Sequence, residues 1–118
     1  MARKVFVSFN FKDSSLSYTL NNMTQSTGCH FVYANEHTHH IDQLIKDKMR
    51  GCCAALFVVG NDNHNSPWIN REVELANSMG LTLYVTQLPN TNGGLPNELK
   101  DKPYQCVSWS ESGISSIC

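Results

Sequence analysis

Short apolar runs alternate along the chain with segments of helical periodicity, and the elements can be read from that alternation. Lys4-Val5-Phe6-Val7-Ser8-Phe9 is β-branched and aromatic and stops at Asn10, which predicts a first strand. Asp13 or Ser14 can cap a helix carrying Leu16, Tyr18, Leu20 and Met23, with Thr27-Gly28 as its end. A short second strand, His30-Phe31-Val32-Tyr33, runs into the polar stretch from Ala34 to His40. Ile41, Leu44, Ile45 and Met49 recur at helical spacing with Asp42, Lys46, Asp47 and Lys48 on the other side, and Gly51 stops that amphipathic helix. Cys53 to Val59 is apolar without alternation, the pattern of a strand covered on both faces. After the loop Gly60 to Asn65, Ser66-Pro67 offers a capping side chain followed by proline at the first helical position. That helix continues to Ser78-Met79, with Gly80 as its stop. Leu81 to Val85 is a fourth strand and Gln105-Cys106-Val107 a short fifth. The stretch Pro89 to Pro103 between them reads as loop, with a helical turn around Asn97 to Lys100.

Strand and helix in regular succession call for right-handed crossovers and a mostly parallel sheet with helices on both faces. The predicted architecture is a flavodoxin-like three-layer α/β fold, five strands in the order 2-1-3-4-5, with residues 1–118 forming one domain. Ligands of such sheets bind beyond the carboxyl ends of the strands, near the switch in strand order. That edge points to Phe9 to Asp13 and to Asn61 to Glu72.

Composition narrows the function classes. With 118 residues there is room for one core, and 41% hydrophobic against 16% charged residues excludes intrinsic disorder. Nine Lys+Arg against ten Asp+Glu leave a formal net charge of −1, and the basic residues cluster only at Arg3-Lys4 and Lys46/Lys48/Arg50. A nucleic-acid binder needs a denser phosphate-facing surface, so none is expected as a partner. No apolar run approaches the span of a bilayer and none follows the start as a signal peptide would, which predicts a cytoplasmic protein without membrane association. The five cysteines, Cys29, Cys52, Cys53, Cys106 and Cys118, are odd in number and lack C-x-x-C spacing, and three lie in or beside apolar runs. They are expected to be reduced and mostly buried.

The richest chemistry sits in Ser66-Pro67-Trp68-Ile69-Asn70-Arg71-Glu72. Trp68 and Glu72 are four residues apart, on one face of the helix and one turn from each other. The third helical position, where a capping box wants Glu or Gln, holds Ile69, so Glu72 is not a reciprocal cap. Taken alone, the segment also fits a surface acid favoured by the helix dipole beside a core tryptophan.

This segment, the start Val5-Phe6-Val7-Ser8-Phe9 followed by Asp13, and the strand Leu56-Phe57-Val58-Val59-Gly60 together resemble a TIR (Toll/interleukin-1 receptor) domain, in particular the short prokaryotic TIR-like proteins of Thoeris anti-phage systems. The resemblance spans roughly residues 4 to 86. It implies an NAD-cleaving enzyme, with NAD as substrate and no further cofactor. The catalytic role would fall on Glu72, nucleotide stacking on Trp68, and one pocket wall on Phe9, Asn10 and Asp13. It also implies self-association, a downstream effector that senses the nucleotide product, and a contact loop at Asn35 to His40. The other reading the resemblance leaves open is a non-catalytic adaptor acting by self-association, with Glu72 as a surface residue and Trp68 as core.

One carboxylate suits this reaction. Glycosidases generally need a second carboxyl to protonate an alkoxide as it departs. Nicotinamide is attached as a pyridinium and leaves neutral, so the enzyme has only to hold the ribose and stabilise the positive charge developing at its anomeric carbon.

Three further candidates carry less. His37, His39 and His40 lack a second ligand pair at structural-zinc spacing, so no metal is expected. Ser14, Ser15 and Ser17 lack the glycine-containing nest that would cradle a flavin phosphate. A phosphoacceptor receiver domain shares the predicted architecture but wants an acidic pair after the first strand and an aspartate ending the third, where this chain has Ser8-Phe9-Asn10 and Val58-Val59-Gly60.

Overall fold

The computed structural model describes residues 3–8, 29–33, 42–60, 67–89, 91 and 93–117. The helix expected after the first strand and the polar stretch Ala34 to His40 lie outside the described residues. The described residues form five strands and three helices. They are β1 (Arg3–Ser8), β2 (Cys29–Tyr33), α1 (Asp42–Met49), β3 (Ala54–Val59), α2 (Pro67–Ser78), β4 (Thr82–Gln87), β5 (Gln105–Cys106) and α3 (Glu111–Ser115), with a 3-10 turn at Asn97–Leu99.

The five strands form one sheet in the order β2-β1-β3-β4-β5, and every neighbouring pair is parallel. This is the order the alternation predicts. β3 lies at the centre with all six residues buried, which is why its sequence carries no polar alternation. Side chains leave β3 to two cores. Ala55, Phe57 and Val59 join Phe6 of β1, Leu83 and Val85 of β4, and Ile45, Met49, Ile69, Val73 and Ala76 of α1 and α2. Ala54, Leu56 and Val58 join Val5, Val7 and Phe31 on the opposite face, with Ile114 of α3 and Ile117 just beyond it.

The two long helices stop as their glycines predict. Gly51 and Gly80 have φ of 85° and 76°. At the end of α2 the Gly80 amide donates to Asn77 O at 3.1 Å and the Leu81 amide to Ala76 O at 3.1 Å, the paired closure of a Schellman motif. Leu81 and Ala76 meet in the same core cluster and complete its apolar contact. A Cβ on Gly80 would touch nothing within 4 Å, so Gly80→Ala isolates the left-handed backbone penalty. It is expected to lower stability by about 1 kcal/mol, read as a lower denaturation midpoint at unchanged slope.

One element was not foreseen and one expectation needs correction. α3 lies beyond the fifth strand, where the sequence reading assigned nothing. Its capping residue is Ser110, whose Oγ accepts the Gly113 amide at 3.1 Å, and its buried residue is Ile114. The cysteines described are not mostly buried: Cys52 is half-buried, Cys53 and Cys106 are exposed, and all three are free thiols. Cys53 sits in the bend before β3, not in the strand, and its thiol reaches back to Lys4 O at 3.4 Å. Burial, together with the neighbouring Cys53, pushes the Cys52 thiol above its ordinary range, against the opposing pull of Lys4. Less thiolate and less access at pH 8 act together. Iodoacetamide is expected to modify Cys53 and Cys106 before Cys52, with Cys52 catching up as the pH is raised; peptide mass mapping over time reads the order.

Candidate functional site

The carboxyl ends of β1 and β3 lie side by side, with Ser8 in register with Phe57. The strand order turns here, because β2 extends the sheet on one side of β1 and β3 leads away on the other. α2 follows β3 after residues 60–66 and returns over the face that carries Phe6, Phe57 and Val59.

α2 buries Ile69, Glu72, Val73, Leu75 and Ala76, while Arg71, Glu74, Asn77 and Ser78 are exposed. Residues 69, 72, 73 and 76 fall at i, i+3, i+4 and i+7, one continuous stripe. Glu72 therefore occupies a core-facing position, is 1% exposed, and has both carboxylate oxygens shielded from solvent. The surface-acid reading of Glu72 is corrected here. Helix phase decides the outcome, since any residue three after Ile69 and four before Ala76 turns towards the sheet, whatever its charge.

Among the described residues Glu72 is the only charged side chain that is buried. Taking a carboxylate out of water costs several kcal/mol before its interactions are counted, and an apolar residue would fill the position at no such cost. An acid kept there is a pointer to function. Trp68 lies four residues before Glu72 in the first turn of α2, with its backbone in place and its side chain outside the described residues. Phe9, Asn10 and Asp13 also lie outside them. Of the five site residues expected from sequence, the structure thus places Glu72 fully and Trp68 by its backbone.

The segment after Pro89 supports this helix from the far side. Asn70 Oδ1 accepts the Glu98 amide at 3.0 Å, which fastens the Asn97–Leu99 turn to α2, and Leu99 is fully buried in the shared core. Lys102 closes the turn, donating from Nζ to Glu98 O at 2.7 Å and pairing with the Glu98 and Asp101 carboxylates at 3.3 Å. In sequence this stretch looked like loop with one helical turn. Its polar and proline content hides its apolar anchors, Leu99 and the partly buried Leu95.

The described residues hold no group of three His, Cys, Asp or Glu side chains able to bind a metal ion, and His37, His39 and His40 lie outside them. No helix among the described residues is long and apolar enough to cross a membrane.

The family model of the Thoeris protein ThsB, TIR-like domain, matches residues 6–93. None of the curated proteins matches the chain. Among solved structures, a putative pilus assembly-related protein from Burkholderia pseudomallei K96243 is similar with a TM-score of 0.63 at 11% identity, over 99% of this chain and 86% of that one. A 3-dehydroquinate dehydratase-like protein from Bifidobacterium longum reaches a TM-score of 0.54 at 9% identity, over 99% and 92% of the respective chains. At such identities the likeness to these structures is one of fold.

Proposed function

Since the chain belongs to the Thoeris ThsB TIR-like family, which gives it a role in the Thoeris defence system, we propose that it cleaves NAD+ at the nicotinamide–ribose bond with Glu72 as the catalytic carboxylate. The observation that carries this reading is the burial of Glu72 on the sheet-facing stripe of α2, one turn after Trp68.

The chemistry follows from the charge on the substrate. The glycosidic carbon–nitrogen bond breaks with its electron pair going to the nicotinamide ring, which departs neutral and needs no proton. Positive charge builds at the anomeric carbon and its ring oxygen. A carboxylate in a water-poor layer stabilises that charge far more than one in bulk solvent, while it also accepts hydrogen bonds from ribose hydroxyls. The indole of Trp68 would hold the pyridinium by stacking and cation–π attraction before the bond breaks. Phe9, Asn10 and Asp13, which follow β1 at the same edge, would complete the nucleotide wall. Attack by water gives ADP-ribose and releases one proton; attack by a hydroxyl or ring nitrogen of the same nucleotide gives a cyclic isomer; another nucleophile gives a conjugate. Any of these could act as the diffusible signal sensed by a partner protein.

The alternative, a self-associating adaptor without catalysis, wanted Glu72 on the surface. Its burial removes that part of the adaptor reading. Incubation of the purified protein with NAD+, followed by chromatography of nicotinamide, separates the two: release by the wild type together with its loss in Glu72→Gln supports the enzyme.

A further inference from the structure

Among the described residues two buried hydroxyls stand without a hydrogen-bond partner, Ser8 Oγ and Thr86 Oγ1, at 2% and 1% residue exposure. A buried polar group left unmatched destabilises the fold and calls for a reason. The two lie on opposite faces of the sheet. Thr86 alternates with Val85, which faces α2, so Thr86 faces the α3 side. Ser8 alternates with Val7, which belongs to the α3 side, and so shares the face of Phe6 and α2.

Depth also matches Ser8 to Glu72. Ser8 is in register with Phe57, two residues before the end of β3, and thus about 7 Å inside the carboxyl edge. Glu72 is five residues into α2, which returns from that edge, and thus about 7.5 Å along its axis. A buried hydroxyl and a buried carboxylate therefore both belong to the layer between the sheet and α2, each towards the carboxyl ends of the strands.

We propose that Ser8 is a substrate-binding residue of the same site, its Oγ hydrogen-bonded to a hydroxyl of the ribosyl group that Glu72 serves. This rests on the NAD+ reading and deepens it. The chemistry of the layer selects the ligand group. Serine offers one donor and two acceptor positions without charge, which suits a sugar hydroxyl. A phosphate would want a cation, and among the described residues no buried side chain on this face is basic.

The test sets Ser8→Ala beside Thr86→Val and the wild type. Three readouts are taken on the full chain: the melting temperature of the free protein, the kinetics of nicotinamide release from NAD+, and the rise in melting temperature caused by ADP-ribose. Both variants delete an unmatched hydroxyl, so both are expected to melt at or above the wild type. Ser8→Ala alone is expected to raise KM and lower kcat/KM about tenfold, the worth of one neutral hydrogen bond, and to lose most of the ADP-ribose shift. Wild-type kinetics in Ser8→Ala, or a clearly lowered melting temperature that marks a structural hydrogen bond, overturns the assignment and leaves the NAD+ reading standing. If the wild type itself releases no nicotinamide, the NAD+ reading fails and the ADP-ribose shift decides Ser8 alone. A shift lost in Ser8→Ala upholds it; an equal shift, or none, overturns it.

Discussion

Glu72→Gln is expected to lower nicotinamide release at least about a hundredfold, with kcat and kcat/KM falling together and KM little changed. The amide has the size of the carboxylate and can still accept a hydrogen bond from a ribose hydroxyl, so ground-state binding survives. What it lacks is the negative charge, which matters only once positive charge appears at the anomeric carbon. Because Glu72 is 1% exposed, water does not screen that interaction, and the loss is larger than removal of a surface acid would give. A circular-dichroism melt of the variant checks that it folds. Equal turnover by wild type and variant would show that another group carries the charge stabilisation, and absence of turnover in the assembled wild type would return the protein to the adaptor reading.

How this site was legible differs between its parts. The unbroken apolar run of β3 fixes it as the central strand, the two glycine stops bound α1 and α2, and right-handed crossovers then leave few strand orders for five parallel strands. Trp68 and Glu72 were visible as a one-turn pair from spacing alone. The burial of Glu72 was not, because its charge argued for the surface while its phase between Ile69 and Ala76 argued for the core, and packing of the stripe on β3 settled the contest. Ser8 stood inside an apolar strand at a core-facing position, two residues after Phe6, and such a polar residue out of pattern was the available signal. α3 escaped notice because a helix of five residues with one buried side chain, Ile114, has no periodicity to read. Ser110 as its cap was the sole mark of it. Cys53 shows the limit of runs as evidence: it continues the apolar sequence of β3, yet the chain turns there and leaves it exposed.

The second large effect expected is that specific activity falls with dilution, close to tenfold for each tenfold dilution below the dissociation constant of a dimer, because the active fraction is then proportional to concentration. The reason lies in the closure of the site. Both oxygens of Glu72 are shielded from solvent in the single chain, whereas catalysis needs a ribose within hydrogen-bond reach of them. The layer above Glu72 has to part, and that opening carries a free-energy cost that a ligand alone must overcome in a monomer. On the proposed reading, contact with a second copy of the chain that favours the open arrangement would supply the difference, and a residue from that copy would close the cleft around the nucleotide. Activity measured from the lowest detectable concentration upward, with mass determined by light scattering on the same samples, reads both quantities together. A constant specific activity across the series, from a species confirmed as monomer, would mean that one chain opens and fills its own site, and the link between assembly and catalysis would be lost.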